Sequence, residues 1–153
     1  MHRNLGTFTR LRALALSLAT AAPLAAQQPQ VIHVPGEVQG LPFSPVVKVG
    51  NVLYLSGQVG SVPGTRQLAD TGIAGQTRQA LENIKAVLTH AGSSMERVAK
   101  CTVFVVDIRD YGKVNEVYAT YFPKDPPARS FIAGSGLALG ARIEIECLAT
   151  VQS

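Results

Sequence analysis

Arg129 sits directly behind Pro126 and Pro127, in the run Pro-Pro-Ala-Arg-Ser-Phe-Ile that leads into a glycine-rich stretch. A planar guanidinium on a proline-stiffened loop suits a small molecule bearing a carboxylate, because it can make two parallel charge-assisted hydrogen bonds that fix orientation. Downstream, Ala141 to Val151 alternates strictly. As a strand it would put Ile143, Ile145 and Cys147 on one face and Glu144 and Glu146 on the other. A carboxylate near an arginine is chemically adequate to shuttle the proton of a placed water, though a solvated strand face would also carry both acids. Parity alone does not choose between Glu144 and Glu146.

These residues need a scaffold, and the chain upstream supplies its pattern. Val46–Val49 and Val52–Leu55 flank Gly50-Asn51, a two-residue loop tolerant of positive φ, and read as a β-hairpin. Gln58 to Leu68 is a Gly-, Pro- and Ser-containing loop, and Gln27 to Gly40 reads as an extended or mobile arm. Asp70 or Thr71 can cap a helix running to about Ala91. Its apolar stripe is Leu81, Ile84 and Leu88, its solvated side Arg78, Glu82 and Lys85, and Gly92 stops it. Ser93 with Glu96 matches a capping box for a short turn; Val98 to Asp107 is strand-like; Asp110 opens a second helix ended by Pro123.

Strand, strand, helix, strand, helix, strand, strand predicts an α+β layer: one sheet with two helices on one face. Valine and isoleucine occupy both parities of several strands, so the uncovered sheet face is expected to pack against other copies of the chain. The glycine-rich run Gly134 to Gly140 leads into a strand rather than a helix, so it does not read as a phosphate loop. No Ser-His-Asp or Cys-His set supports a nucleophilic hydrolase.

Residues 1–26 have a basic start, with Arg3, Arg10 and Arg12, then an apolar run from Ala13 to Ala22 and Leu24-Ala25-Ala26 before Gln27. They read as a secretory signal peptide, leaving residues 27–153 as one domain that is exported, periplasmic or secreted, and free of the membrane after cleavage. The leader holds three of the 14 Lys+Arg and none of the 10 Asp+Glu, so the remainder carries 11 against 10. That near-neutral balance argues against a nucleic-acid groove. The three scattered histidines indicate no metal site. Cys101 and Cys147 both fall in strand-like segments. Export permits a disulfide between them, but buried free thiols on apolar faces are the expectation.

Several ordered segments carry a resemblance: Val49-Gly50-Asn51-Val52-Leu53-Tyr54-Leu55-Ser56-Gly57-Gln58, Gln79-Ala80-Leu81-Glu82-Asn83-Ile84-Lys85, Thr102 to Asp107, Pro127-Ala128-Arg129-Ser130 and Ile143-Glu144-Ile145-Glu146. From about Leu41 to Val151 the chain resembles the Rid family of reactive intermediate deaminases, also called the YjgF family. The resemblance implies a chorismate-mutase-like (YjgF-like) fold with a single mixed sheet, assembled as a homotrimer with clefts between subunits. It also implies cofactor-independent hydrolysis of reactive enamine or imine intermediates to 2-keto acids and ammonia. A non-catalytic trimer that binds a small ligand or a protein is the alternative. A ribonuclease, also implied within the wider family, fits the near-neutral charge poorly. Carried over residue by residue, Arg129 holds the substrate carboxylate and Glu146 activates water, with Glu144 able to substitute. Ser56 and Asn115 supply neutral hydrogen bonds. Two positions depart from the family's pattern: Phe131 stands where many members have Cys, and Phe43 where they have Tyr. Both make the pocket more apolar.

Overall fold

The computed structural model describes residues 27–151, so the expected signal peptide lies outside the described residues. Seven strands form one mixed sheet: β1 (Gln30–Ile32), β2 (Val46–Val49), β3 (Val52–Leu55), β4 (Gln58–Val59), β5 (Val98–Val105), β6 (Ala128–Ala133) and β7 (Ile143–Thr150). Two helices, α1 (Ile73–His90) and α2 (Tyr111–Tyr121), cover one face. The strand order is β1-β2-β3-β7-β5-β6, with β4 also on β7. Only β5 and β6 run parallel; the other pairs are antiparallel.

The helical stripe holds as read. Leu81, Ile84 and Leu88 are fully buried, while Arg78, Glu82 and Lys85 are exposed. They pack on Leu53, Cys101, Val103, Ile143 and Ile145 from alternate positions of β3, β5 and β7, each fully buried aliphatic side chain contributing roughly 1.5–3 kcal/mol. α1 also lies close against β4: a Cβ built on Gly60 would come within 2.6 Å of the helix backbone at Gln76, so no larger residue fits there.

Four local expectations change. Residues 30–32 of the amino-terminal arm are a strand, because they find a partner in β2. Gly72, not Asp70 or Thr71, occupies the helix N-cap; Asp70 instead accepts the Gly72 N–H at 2.6 Å. Ser93 does not cap the short 3-10 turn at Met95–Arg97. Its hydroxyl donates to the Thr150 carbonyl at 2.7 Å and ties the end of α1 to β7. The fourth change is the largest. The strands that carry Arg129 and the two glutamates are not neighbours, because β5 lies between them.

Cys101 and Cys147 are also not free thiols. They face each other across β5 and β7 and form a disulfide, with Cα atoms 4.1 Å apart. Such a close approach is found where directly opposed antiparallel residues do not exchange hydrogen bonds. Strand period alone could not reveal it, since the register of β5 on β7 decides which cysteine meets which residue.

The bridge closes a loop with a sequence separation of 46, for which chain-entropy arguments give about 4 kcal/mol and typical bridges about 2–4. Converting both cysteines to alanine should therefore lower the urea-unfolding free energy by about that much. A double variant as stable as the parent would show that packing, rather than the cross-link, holds this register.

Candidate functional site

In paired strands, register partners share a face. Arg129 pairs with Cys101, and Cys101 with Cys147, so all three point to the helix side. Glu146 pairs with Thr102 and Glu144 with Phe104, on the opposite, open side. Within one chain the arginine and the glutamates are thus separated by the sheet. The predicted site residues fall into two groups.

The first group surrounds Arg129. Its Nη2 donates to Asn115 Oδ1 at 2.7 Å, as a neutral hydrogen bond from helix α2. The guanidinium carbon lies 4.7 Å from the centre of the Tyr118 ring, 5.4 Å from that of Phe131 and 5.6 Å from that of Tyr111. Tyr111 and Phe131 meet edge to face at 4.8 Å. Among the described residues no carboxylate lies within ion-pair distance of Arg129. The expected structural alternative, an ion pair with Glu144, is therefore not what the fold builds. Asn115, Tyr118, Pro126, Pro127 and Arg129 line a recess of about 380 Å³.

Of the aromatic residues around Arg129, only Phe131 is expected there from the resemblance, yet the sequence carries a signal for the others: Tyr111, Asn115 and Tyr118 stand at i, i+4 and i+7, one face of the helix.

The second group lies at the other edge of β7. Phe43, Gly57, Val59, Leu139 and Glu144 line a cavity of about 760 Å³ beneath the arm. A bulge shapes it. Tyr54 opposes Leu148 and Gln58 opposes Ile145, so three residues, Leu55 to Gly57, face only two, Glu146 and Cys147. An extra residue bends a strand and re-aims its neighbours. Here it lays Gly57 across the Glu144 carboxyl, where a Cβ would overlap the acid. Ser56 does not line the cavity. Its hydroxyl donates to the Ser44 carbonyl at 2.7 Å and its N–H to the Pro45 carbonyl at 3.0 Å, fastening the arm beside Phe43.

The two acids differ in surroundings. Glu146 is exposed, whereas Glu144 is half-buried. Burial, and then the charge of Glu146 beside it, raise the Glu144 pKa above the usual carboxylate range. A carboxylate that takes up a proton readily in a largely apolar cavity is equipped for general base and acid work. Of the two acids, Glu144 is the one that lines the cavity. Parity could not show this, since only the bulge distinguishes the two positions.

The fold and site define a class: an α+β sheet protein that carries, on opposite faces of its sheet, an arginine with no carboxylate partner among the described residues and a half-buried glutamate. Residues 38–151 match the family model described as endoribonuclease L-PSP. The chain is 42% identical over 108 residues to 2-iminobutanoate/2-iminopropanoate deaminase of Mus musculus, covering 71% of this chain and 80% of that one. It is 40% identical over 110 residues to the chloroplastic Reactive Intermediate Deaminase A of Arabidopsis thaliana, covering 72% of this chain but 59% of the longer plant protein. Among solved structures, the conserved Rid family protein YyfA of Yersinia pestis superposes with a TM-score of 0.76 at 38% identity, over 81% of this chain and all of that one. The YjgF gene product of E. coli does so with 0.74 at 32%, over 80% and 99%. The chain belongs to the Rid/YjgF family.

Two measurements follow from the acid half. Gly57→Ala should displace only the flexible end of Glu144, leaving the unfolding midpoint nearly unchanged while altering the acid's titration by NMR; an unmoved titration would mean the bulge does not set its position. Because Glu144 binds its proton more tightly folded than unfolded, stability is higher below the ordinary carboxylate range and declines as pH rises through the window up to the raised folded value. Glu144→Gln should remove that decline and be the more stable protein at neutral pH. An unchanged pH dependence of unfolding in the variant would contradict the assignment.

Proposed function

We propose that this chain is a cofactor-independent deaminase that hydrolyses reactive 2-imino acids, or their enamine tautomers, to 2-keto acids and ammonia. The observation that carries the reading is the half-buried guanidinium of Arg129, held by one neutral hydrogen bond and aromatic faces with no acid to neutralise it. A positive charge kept in that condition favours an anionic ligand. The names of the mouse and plant relatives support the same reaction.

In this reading Arg129 takes the substrate carboxylate and orients the C=N carbon. Glu144 accepts a proton from a water as the water oxygen bonds to that carbon. Glu144 passes that proton to the imine nitrogen, giving a tetrahedral carbinolamine. Glu144 then takes the carbinolamine hydroxyl proton and delivers it to the nitrogen as the C–N bond breaks, so that the C=O forms and ammonia leaves. One water is consumed per imine. The raised pKa of Glu144 suits both steps, since the same group must accept and then donate.

Arg129 and Glu144 lie on opposite faces of one sheet, so the reading places them in different copies of the chain. Tyr54, Ile132 and Leu148 leave the open face apolar and exposed, which suits its covering by other copies in a homotrimer; one substrate would meet both groups where the β6 edge that carries Arg129 in one copy abuts the Glu144 cavity of another. The buried disulfide suits an oxidising compartment and so supports export with removal of residues 1–26. The near-neutral charge of the remainder gives little support to ribonuclease action, despite the family model's description.

The test generates the imine in situ with an amino-acid oxidase and follows its trapping by semicarbazide. Arg129→Ala should raise KM and cost about 2–4 kcal/mol in kcat/KM, the effect of losing a desolvated charged partner. Glu144→Gln should lower kcat roughly 10²–10⁴-fold with KM little changed, and Glu146→Gln should have a small effect. Loss of turnover in Glu146→Gln but not Glu144→Gln would return the proton shuttle to Glu146. An inactive parent protein would remove the deaminase reading.

A further inference from the structure

Tyr118 is the buried titratable group that the proposed mechanism leaves unused. The residue is 5% exposed and its hydroxyl has no hydrogen-bond partner among the described residues. An enclosed O–H with nothing to donate to is costly to keep, and phenylalanine would fill the same space without that cost. Burial pushes its pKa up to about 12, against the opposing pull of the Arg129 charge, so at neutral pH the group is a donor.

Its neighbours show which partner would suit it. The Arg129 guanidinium lies over the Tyr118 ring at 4.7 Å. The Asn115 carbonyl oxygen is already taken by Arg129, which leaves the Asn115 amide N–H groups as donors. The remaining guanidinium N–H groups are donors too. Arg129, Asn115 and Tyr118 line the same recess, with apolar Pro126, Pro127 and Phe122 as its other walls. Apart from the Tyr118 hydroxyl oxygen itself, the polar side chains that line it therefore present N–H donors.

We propose that Tyr118 is a specificity-determining residue of this site, its hydroxyl acting as the third donor, with Arg129 and Asn115, to the carboxylate of a bound 2-keto or 2-imino acid. This rests on the assignment of Arg129 as the carboxylate anchor. A carboxylate that draws the guanidinium toward itself exchanges one hydrogen bond to a neutral amide for a charge-assisted pair. It also uncovers the ring beneath. Three donors fill three of the roughly four acceptor positions of a carboxylate, whereas a neutral amide puts its own N–H donors against them.

The test compares the parent protein with Tyr118→Phe, using 2-oxobutanoate as the probe and uncharged 2-oxobutanamide as the control, with affinities from calorimetry and unfolding midpoints alongside. The expected result is a loss of about tenfold or more in affinity for the acid, the scale of a hydrogen bond to a charged group. The weak binding of the amide should not change, and the unfolding midpoint should stay level or rise. Equal affinity of both proteins for the acid would overturn the proposal, as would a parallel loss for acid and amide, which marks a packing role. Should Tyr118→Phe not fold, the ring carbon bearing the hydroxyl can be followed by ¹³C NMR in the parent protein. A shift of the Tyr118 signal with 2-oxobutanoate and none with the amide supports the assignment; an unmoved signal overturns it. Acid binding through Tyr118 without imine turnover would leave this inference standing and remove the deaminase reading. Turnover with KM unchanged in Tyr118→Phe would do the reverse.

Discussion

The register of β5 against β7 is the constraint on which the rest of the molecule depends. Strand side chains alternate, so one register puts Cys101, Cys147 and, through β6, Arg129 on the helix side, and Glu144 and Glu146 on the other. A slip by one residue would reverse every assignment, bringing the glutamates into the core and the cysteines out of it. The opposed cysteines convert that register from a preference of apolar packing into a covalent fact. The helices add to it from one side, since Ile143, Ile145 and Val103 are fully buried in the same layer as the α1 stripe.

Within that frame the two charged groups are treated in opposite ways. Arg129 is half-buried without a counter-ion, which costs solvation; the faces of Tyr111, Tyr118 and Phe131 offset part of this while leaving the charge intact. A structural carboxylate would stabilise the arginine more, and would occupy the valences a ligand needs. Arg142 is compensated in that way, its Nη2 donating to the buried Asp110 carboxylate at 2.8 Å. Glu144 is pushed the other way. Burial and a neighbouring acid make its charge unfavourable, so it holds a proton readily. Both arrangements sacrifice stability, and both do so where chemistry would need it.

Much of this was legible in the sequence and some of it could not be. The hairpin around Gly50-Asn51, the α1 stripe and the alternation of β7 follow from local period and turn chemistry, which the fold preserves. Strands of three and two residues, β1 and β4, have no period to read and exist only because they meet β2 and β7. The loop joining Ile132 to Ile143 suggests adjacent strands, and chain order cannot show that β5 enters between them. The contest between Glu144 and Glu146 was undecidable for a related reason. Both have the same parity, and what separates them is one extra residue on the opposing strand at Leu55 to Gly57, a pairing fact without a local signature. Phe43 and Phe131, expected in one pocket, lie in different places. The first lines the cavity of the acid and the second walls in the arginine.

That division bears on how the proposed reaction could work at all. A single substrate small enough to be held by one guanidinium cannot also reach a carboxylate across a sheet whose interior side is filled by the helix layer. Either the arginine and the acid act on different molecules, or they meet between chains. The sheet's open face favours the second. Tyr54, Ile132 and Leu148 are exposed there on strands running from the middle of the sheet to its β6 edge, with Phe104 partly buried among them. Apolar surface of this kind is removed from water by association, at roughly 25 cal/mol for each Å² covered. The same burial would screen an inter-subunit cleft from solvent, strengthening the Arg129 pair with a carboxylate and keeping Glu144 protonatable. Assembly and the proposed chemistry would then both depend on how copies of the sheet pack, the first through the apolar open face and the second through the β6 edge that carries Arg129.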